Sequence, residues 1–325
     1  MSISLGIVGL GNVAKAQINA LNRQKRFKLV AAYDLDPKKE TLSPEGSIFY
    51  GSLDAFLSAP GLQIILISTP NESHFSLAMR ALEAGIPVIV EKPVCDNIRD
   101  LATLRDTARK QGVQCFAALH FATAYEVKWL EENIVTLTKD FGELTGFVAQ
   151  FYDPYIYDDQ LASPAKSLQC AWLDSAINAL SVIDRFIPCS NVSVIGAQRL
   201  ALDVVGREEI QASGYFHFPR SSGAVGAGII DTNWYLKTNA KTTRFIFDES
   251  HTEIVLEHVS QRVFARRDDS LLWDKRFDDG QSRLANHYVG VFSNIAEQID
   301  VNNGDNLDAA YELHRVLFQA HGWGR

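Results

Sequence analysis

The chain of 325 residues is poor in several features that would fix a function quickly. It has four cysteines, Cys95, Cys115, Cys170 and Cys189, with no CxxC spacing and no paired framework, so reduced thiols in packed positions are expected and no metal site is. Apolar runs are short. One of the longest, Ile64 to Ile67, is far from the roughly 20 residues that cross a bilayer, which argues against a membrane partner. A basic excess is missing too: 31 Lys and Arg stand against 39 Asp and Glu, a net charge of -8, and nucleic acid is not an expected partner. Internal repeats and low-complexity segments are absent. The first residues already read as a strand, with no basic and apolar leader before them, so a cytoplasmic protein is expected.

What is present is an ordinary globular composition, 46% hydrophobic and 22% charged, and a length that suits two domains. Short β-branched runs alternate with helical stretches over the first 120 residues or so, the pattern of a parallel sheet covered on both faces. Strands are expected at Ser4 to Val8, Phe27 to Tyr33, Ile64 to Ile67, Pro87 to Val90 and Gln114 to Ala118, with a weak one at Ile48 to Tyr50. Helices are expected at Val13 to Arg23, Ser73 to Ala84 and Ile98 to Gln111, where Gly85 and Gly112 fall at helix C-caps. After Phe121 the rhythm changes to a helix at Val127 to Ile134, a strand at Leu144 to Tyr152 and a helix at Leu173 to Phe186. Alternating strands from Val192 to Phe277 and helices at Tyr288 to Val301 and Leu307 to Ala320 complete the chain. The fold class is thus an α/β doubly wound parallel sheet, residues 1–121, followed by an α+β domain with a large open, mainly antiparallel sheet, residues 122–325.

Three motifs carry chemistry. Gly9-Leu-Gly11-Asn12-Val13-Ala14 is a GxGxxA directly after a strand: its glycines allow a tight turn and close approach of a pyrophosphate to a helix N-terminus, and Asn12 and Val13 belong to the same turn. Asp34, twenty residues past Ala14, can accept hydrogen bonds from ribose hydroxyls and would repel the 2′-phosphate of NADP. With no arginine beside it, NAD is preferred over NADP. Ser68-Thr69-Pro70-Asn71 leaves the fourth strand where a nicotinamide ribose could lie; His74 follows it, read either as a cofactor neighbour or as the start of the next helix. Glu91-Lys92-Pro93 ends the fifth strand on two charges and a proline. Lys92 is either a solvated strand-end charge or an ammonium facing the cofactor, and Pro93 is a candidate for a cis bond.

In this order and spacing the three motifs resemble the glucose-fructose oxidoreductase / inositol dehydrogenase / MocA family of NAD(P)-dependent enzymes. The resemblance implies a Rossmann domain followed by an α+β domain whose open sheet often mediates oligomers, here a homodimer or homotetramer. It implies that Lys92 orients substrate and moves the proton, with Glu91 beside the cofactor ribose or a backbone donor. It also implies an aspartate from the second domain, usually followed four residues later by a histidine. Here Trp172-Leu-Asp174-Ser-Ala-Ile-Asn178 has asparagine in that place, which resembles the L-arabinose and D-galactose 1-dehydrogenase branch. By that likeness Lys92, Asp174 and Asn178 are the catalytic set, and His120, Asp153 and Trp172 line a sugar site. Asparagine cannot take a proton, so Lys92 or Asp174 does the acid-base work. Ser163-Pro-Ala-Lys-Ser-Leu-Gln-Cys170 departs from that branch's tryptophan- and glycine-rich approach, and packing near a domain junction is the other reading of His120.

The function expected is hydride transfer from C1 of a cyclic aldose to NAD, giving a lactone. Oxidation of inositol or another polyol, or reduction of a keto-sugar, is the second reading. An NAD-binding sensor without turnover, or a lyase using its NAD transiently, is a reading of a different class.

Overall fold

Strands only four residues long and buried at every position, Ile-Ile-Leu-Ile at 64–67 and Val-Ile-Val-Glu at 88–91, are satisfied where helices cover both faces of a sheet. A computed structural model describes residues 2–202, 206–248, 251–300 and 304–324. In chain order its elements are β1 (Ile3–Val8), α1 (Ala14–Gln24), β2 (Phe27–Tyr33), β3 (Ile48–Tyr50), α2 (Leu53–Leu57), β4 (Ile64–Ile67), α3 (His74–Glu83), β5 (Val88–Glu91), α4 (Ile98–Gln111) and β6 (Cys115–Ala118). There follow α5 (Tyr125–Leu137), β7 (Leu144–Tyr152), β8 (Ile156–Tyr157), β9 (Gln160–Leu161), α6 (Ile177–Ile183), β10 (Ser193–Leu202), β11 (Arg207–Pro219) and β12 (Val225–Asn233). The chain then runs through β13 (Ala240–Phe247), β14 (Thr252–Glu257), β15 (Arg262–Arg267), β16 (Ser270–Arg276), α7 (Arg283–Asp300) and α8 (Leu307–His321). Two units result: Met1–Thr123 with Leu284–Tyr311, and Ala124–Arg283 with Glu312–Arg325.

In the first unit six parallel strands are ordered β3-β2-β1-β4-β5-β6. Packed on one face are α1 and α7, where Tyr288, Val291, Phe292 and Ile295 meet Leu5, Ile7 and Phe116. The other face is covered by α3, α4 and the start of α8. The division expected at 121/122 therefore differs from the observed one over residues 284–311. The reason is hydrophobic: the sheet's second apolar layer is drawn from the far end of the chain. Gly112 ends α4 as expected, in the left-handed region at φ 65°, and Asn97 caps its start by accepting the Asp100 N–H at 3.0 Å. Elements that sequence periodicity overlooks are short, α2 and a 3₁₀ turn at Pro37–Leu42.

The second unit is built on eight strands ordered β10-β11-β12-β7-β13-β14-β15-β16, all neighbours antiparallel except β7 with β12. Burial alternates strictly along β13, and Phe147, Ala149, Phe151, Phe216, Phe245 and Phe247 share the covered face. The helix expected from Leu173 to Phe186 begins instead as a π-helical turn at Trp172–Ala176 and continues as α6. Trp172 explains the local fit, since a Cβ on Gly214 of β11 would come within 2.5 Å of its ring. Val301, the expected end of α7, lies outside the described residues. No helix among the described residues is long and apolar enough to cross a membrane.

Candidate active site

The carboxyl ends of β1, β4 and β5 carry the three sequence motifs of the first unit, at the point where the strand order reverses from β1 to β4. Gly9 has φ +92°, and a Cβ there would lie 2.6 Å from the Ser68 carbonyl oxygen, so glycine is demanded by the chain itself. Gly11 is different. A Cβ on it would meet nothing within 4 Å, and its φ is not in the left-handed region. Asn12 and Val13 sit beside it on the turn into α1, and Val13 occupies the N-cap position.

Asp34 ends beside this turn. It accepts the Leu10 N–H at 2.8 Å and the Asp36 N–H at 3.0 Å, and Lys39 approaches to 3.1 Å. Burial opposes the charge on Asp34, but these donors outweigh it and hold the carboxyl below its ordinary range. Lys39 was not a sequence candidate. Its signal was a lysine within one helical turn of Asp36, ordinary enough to pass unnoticed.

Ser68 donates to the buried Gln17 at 2.7 Å, and Gln17 donates to Glu91 at 2.6 Å. Tyr288 donates to the same Glu91 oxygen at 2.6 Å, while the other takes the Lys92 N–H at 3.2 Å. Glu91 is therefore a buried hub bound to that backbone donor, its carboxyl pushed up by burial against the pull of Tyr288, Lys92 and Gln17. Lys92 is half-buried and is followed by a cis Lys92–Pro93 bond. His74 is fully buried, with Nδ1 2.8 Å from the Pro93 carbonyl and Nε2 2.9 Å from that of Thr69. The ring thus lies between the β4 and β5 loops, where its neutral form can donate one N–H to one of these carbonyls. Ser73 completes the β4 loop, its hydroxyl 2.7 Å from that of Thr69 and 2.8 Å from the Pro70 carbonyl, and Asn71 opens a short 3₁₀ turn. His120 is buried with its ring stacked 5.3 Å from Tyr288. Gln17 had a legible signal, a polar residue on the apolar stripe of Ala14 and Leu21; Tyr288, far along the chain, had none.

In the second unit Asp153 is committed: Lys241 lies 2.6 Å from one oxygen, and Ser175 donates to the other at 3.1 Å. The Lys241 ammonium also reaches Asn239 and the Tyr152 carbonyl, so its three protons have three acceptors. Burial lowers its pKa while Asp153 and Asp174 raise it and Arg283 lowers it further. Burial likewise lifts the Tyr155 phenol, with Asp174 and Asp153 adding to the shift. Asp174 thus belongs to a charged group with Asp153, Lys241, Arg283 and Tyr155, of which the last three escaped the sequence reading. Lys241 was detectable as a lysine at an inward position of an alternating strand. Asn178 is 7% exposed and donates to the Asp174 carbonyl at 3.2 Å across the π-turn. Trp172 is 2% exposed, and its indole N–H donates to the Leu317 carbonyl inside the unit. A carboxylate–imidazole–hydroxyl row, Glu126, His258 and Thr243, has 0% exposure throughout and braces α5 on the sheet.

Residues 3–119 match the model of the oxidoreductase family with an NAD-binding Rossmann fold. The match lies within the amino-terminal unit. Over 133 residues, 40% of this chain and 37% of the relative, the sequence is 25% identical to glucose-6-phosphate 3-dehydrogenase of Bacillus subtilis. The chain spans between 28% and 38% of the length of curated relatives it matches. Among solved structures, D-galactose-1-dehydrogenase from Rhizobium etli superposes with TM-score 0.77 at 21% identity, covering 100% of this chain and 96% of that one. A 3-ketoreductase from Actinomadura kijaniata in complex with NADP gives TM-score 0.81 at 14% identity, covering 99% and 97%. These two show that the fold is shared along the whole chain.

Proposed function

We propose that the protein is an NAD-dependent oxidoreductase transferring hydride from C1 of a cyclic aldose to the nicotinamide and giving a lactone. The observation that carries the cofactor half is Gly11, a glycine that neither backbone angle nor any neighbouring atom of the chain requires. Close approach of a pyrophosphate would require it. In this reading Gly9, Gly11, Asn12 and Val13 receive the pyrophosphate, Asp34 the adenosine ribose, and Ser68, Thr69, Pro70 and Asn71 the nicotinamide ribose. When bound, the nicotinamide supplies the hydride acceptor. The chain supplies the rest: Lys92 holds the reacting oxygen and takes its proton, with Glu91 fixing the strand end from which it projects. Asp174 and Asn178 hold sugar hydroxyls, and Tyr155, beside Asp174 and Asp153, adds a phenol to the same group. A cytoplasmic enzyme that assembles through the second unit's sheet is part of the reading, supported by the exposed Val225 and Ile229 on β12.

A second reading, oxidation of a ring secondary hydroxyl, is favoured by the likeness to glucose-6-phosphate 3-dehydrogenase. Nicotinamide reduction measured against a panel of aldoses, inositols and other polyols tests both. Turnover of aldoses with lactone formed is the expected result; turnover confined to inositols or to C3 of a sugar supports the second reading. Tightly held NAD with no turnover on any member would overturn both and indicate a sensor.

A further inference from the structure

Cys170, Glu209 and His321 come from three segments far apart in sequence, and their sulfur, oxygen and nitrogen ligand atoms lie within 4.8 Å of one another. Sγ of Cys170 is 3.7 Å from Nε2 of His321, and that nitrogen is 3.8 Å from Oε2 of Glu209. We propose that these three residues bind one divalent cation of the zinc class. Zinc bonds of about 2.3 Å to sulfur, about 2.0 Å to nitrogen and about 2.1 Å to oxygen place tetrahedral ligands roughly 3.4–3.6 Å apart. The two edges that meet at His321 Nε2 therefore need to contract by only a few tenths of an ångström, and the third lies within 4.8 Å.

The donor set selects the metal. Thiolate with imidazole suits zinc and disfavours calcium and magnesium, which take oxygen ligands. Three protein ligands leave a fourth position for water, and the part-exposed His321 gives the route in. The carboxylate is already oriented: Oε1 of Glu209 accepts the Trp172 N–H at 2.7 Å, which turns Oε2 toward the other two ligands. Arg199 is the opposing group, with Nε 3.6 Å from Oε2. Its NH2 donates to the carbonyls of His321 and Trp323 and so caps the end of α8. Burial and the neighbouring Glu209 hold the Cys170 thiol well above its ordinary range. Binding thus breaks the S–H bond, forms the S–metal bond and releases the proton to solvent. The thiolate and carboxylate then balance the two charges of the cation. Cys170 lies four residues before Asp174, so the cation would tie α8 to the root of the π-turn. Nothing in this assignment depends on the redox reading.

The test uses full-length protein stripped with a chelator, then titrated with zinc against a chromophoric competitor. One zinc per chain is expected, with affinity at least about 10²-fold lower in Cys170→Ser and His321→Ala, since outer-shell partners alone are worth 10–100-fold. Cobalt(II) should give a thiolate charge-transfer band that Cys170→Ser abolishes. Zinc should raise the Tm of the wild type and not of the variants. Glu209→Gln, which can still accept from Trp172, serves if either other variant fails to fold. Substoichiometric zinc, a missing thiolate–cobalt band, or equal affinity in wild type and folded variants would overturn the site.

Discussion

Tyr288 donates to Glu91 at 2.6 Å, joining residues 197 positions apart. Through that bond α7 and β5 share a buried carboxylate, and the same carboxylate receives Gln17 of α1 and the N–H of Lys92. The strand end that presents Lys92 is thereby held by three segments, none of which alone would tolerate a buried charge.

Glu91 should leave a signature in stability against pH. Its folded pKa is raised by burial above the ordinary 4.5, so between the two values the folded state binds more protons than the unfolded. Stability from this group is complete below the ordinary value and is lost as pH rises through the folded one. Urea unfolding across that window should show Glu91→Gln losing less stability than wild type. Tyr288→Phe should cost about 1–3 kcal/mol and push the wild-type decline to higher pH. Parallel profiles for wild type and Glu91→Gln would contradict the burial argument.

The two glycines of the first turn should part company. Gly9→Ala strains a left-handed residue against the Ser68 carbonyl, and a fall in Tm is expected. Gly11→Ala should leave Tm unchanged while weakening NAD by roughly 10- to 100-fold, because only a ligand competes for that space. Calorimetry and fluorescence titration measure the two quantities. NAD bound as tightly by Gly11→Ala as by wild type would remove the main support for the pyrophosphate assignment.

Cofactor choice rests on Asp34 against Lys39. Unit charges about 4 Å apart interact by roughly 4 kcal/mol near a surface before screening, so the carboxylate should favour NAD and the ammonium should blunt that preference. The NAD-to-NADP ratio of kcat/KM should fall at least about tenfold in Asp34→Ser and rise in Lys39→Ala. Absolute affinity will drop in Asp34→Ser because the Leu10 and Asp36 N–H groups lose their acceptor. An unchanged ratio in Asp34→Ser would show that the carboxylate only shapes the turn.

Where sequence was informative, the information was local. Strands β1, β2, β4, β5 and β6 and the caps at Asn97 and Gly112 follow from short-range periodicity and backbone preference, and the glycine turn and Glu91-Lys92-Pro93 are contiguous. What escaped needed the fold to assemble it. Tyr288 reaches Glu91 only because α7 returns to cover the first sheet, and Lys241 reaches Asp153 only through the register of β13 on β7. Trp172 packs against Gly214 of β11 through a close approach that no local pattern announces. The Cys170, Glu209 and His321 group has no sequence spacing to betray it.

Asn178 offers a separable test of the second unit. Its amide already donates to the Asp174 carbonyl and keeps one further N–H and an oxygen for a sugar hydroxyl. Asn178→Ala should cost about 1–3 kcal/mol of transition-state binding, roughly a 10- to 100-fold loss of kcat/KM on the best sugar. NAD affinity should stay within about twofold, since the glycine turn and Asp34 belong to the first unit. Full activity in Asn178→Ala would leave the amide with only its role in the π-turn.

Lys92 carries the sharpest consequence. If its ammonium holds the reacting oxygen and relays the proton, Lys92→Ala should lower kcat by about 10²–10⁴-fold, the usual worth of a positioned acid-base group. Lys92→Arg should fare little better, because a guanidinium keeps its proton at working pH and spreads its charge over a plane the loop was not shaped for. Fold and NAD affinity should survive both changes. Glu91 is held by Tyr288, Gln17 and the backbone of residue 92, and none of these donors is the lysine side chain. Steady-state turnover on the best sugar, with NAD binding checked by fluorescence titration, decides the matter. A kcat near wild type in Lys92→Ala would make Lys92 a solvated strand-end charge and pass the proton to Asp174, whose replacement by asparagine should then abolish turnover in its place.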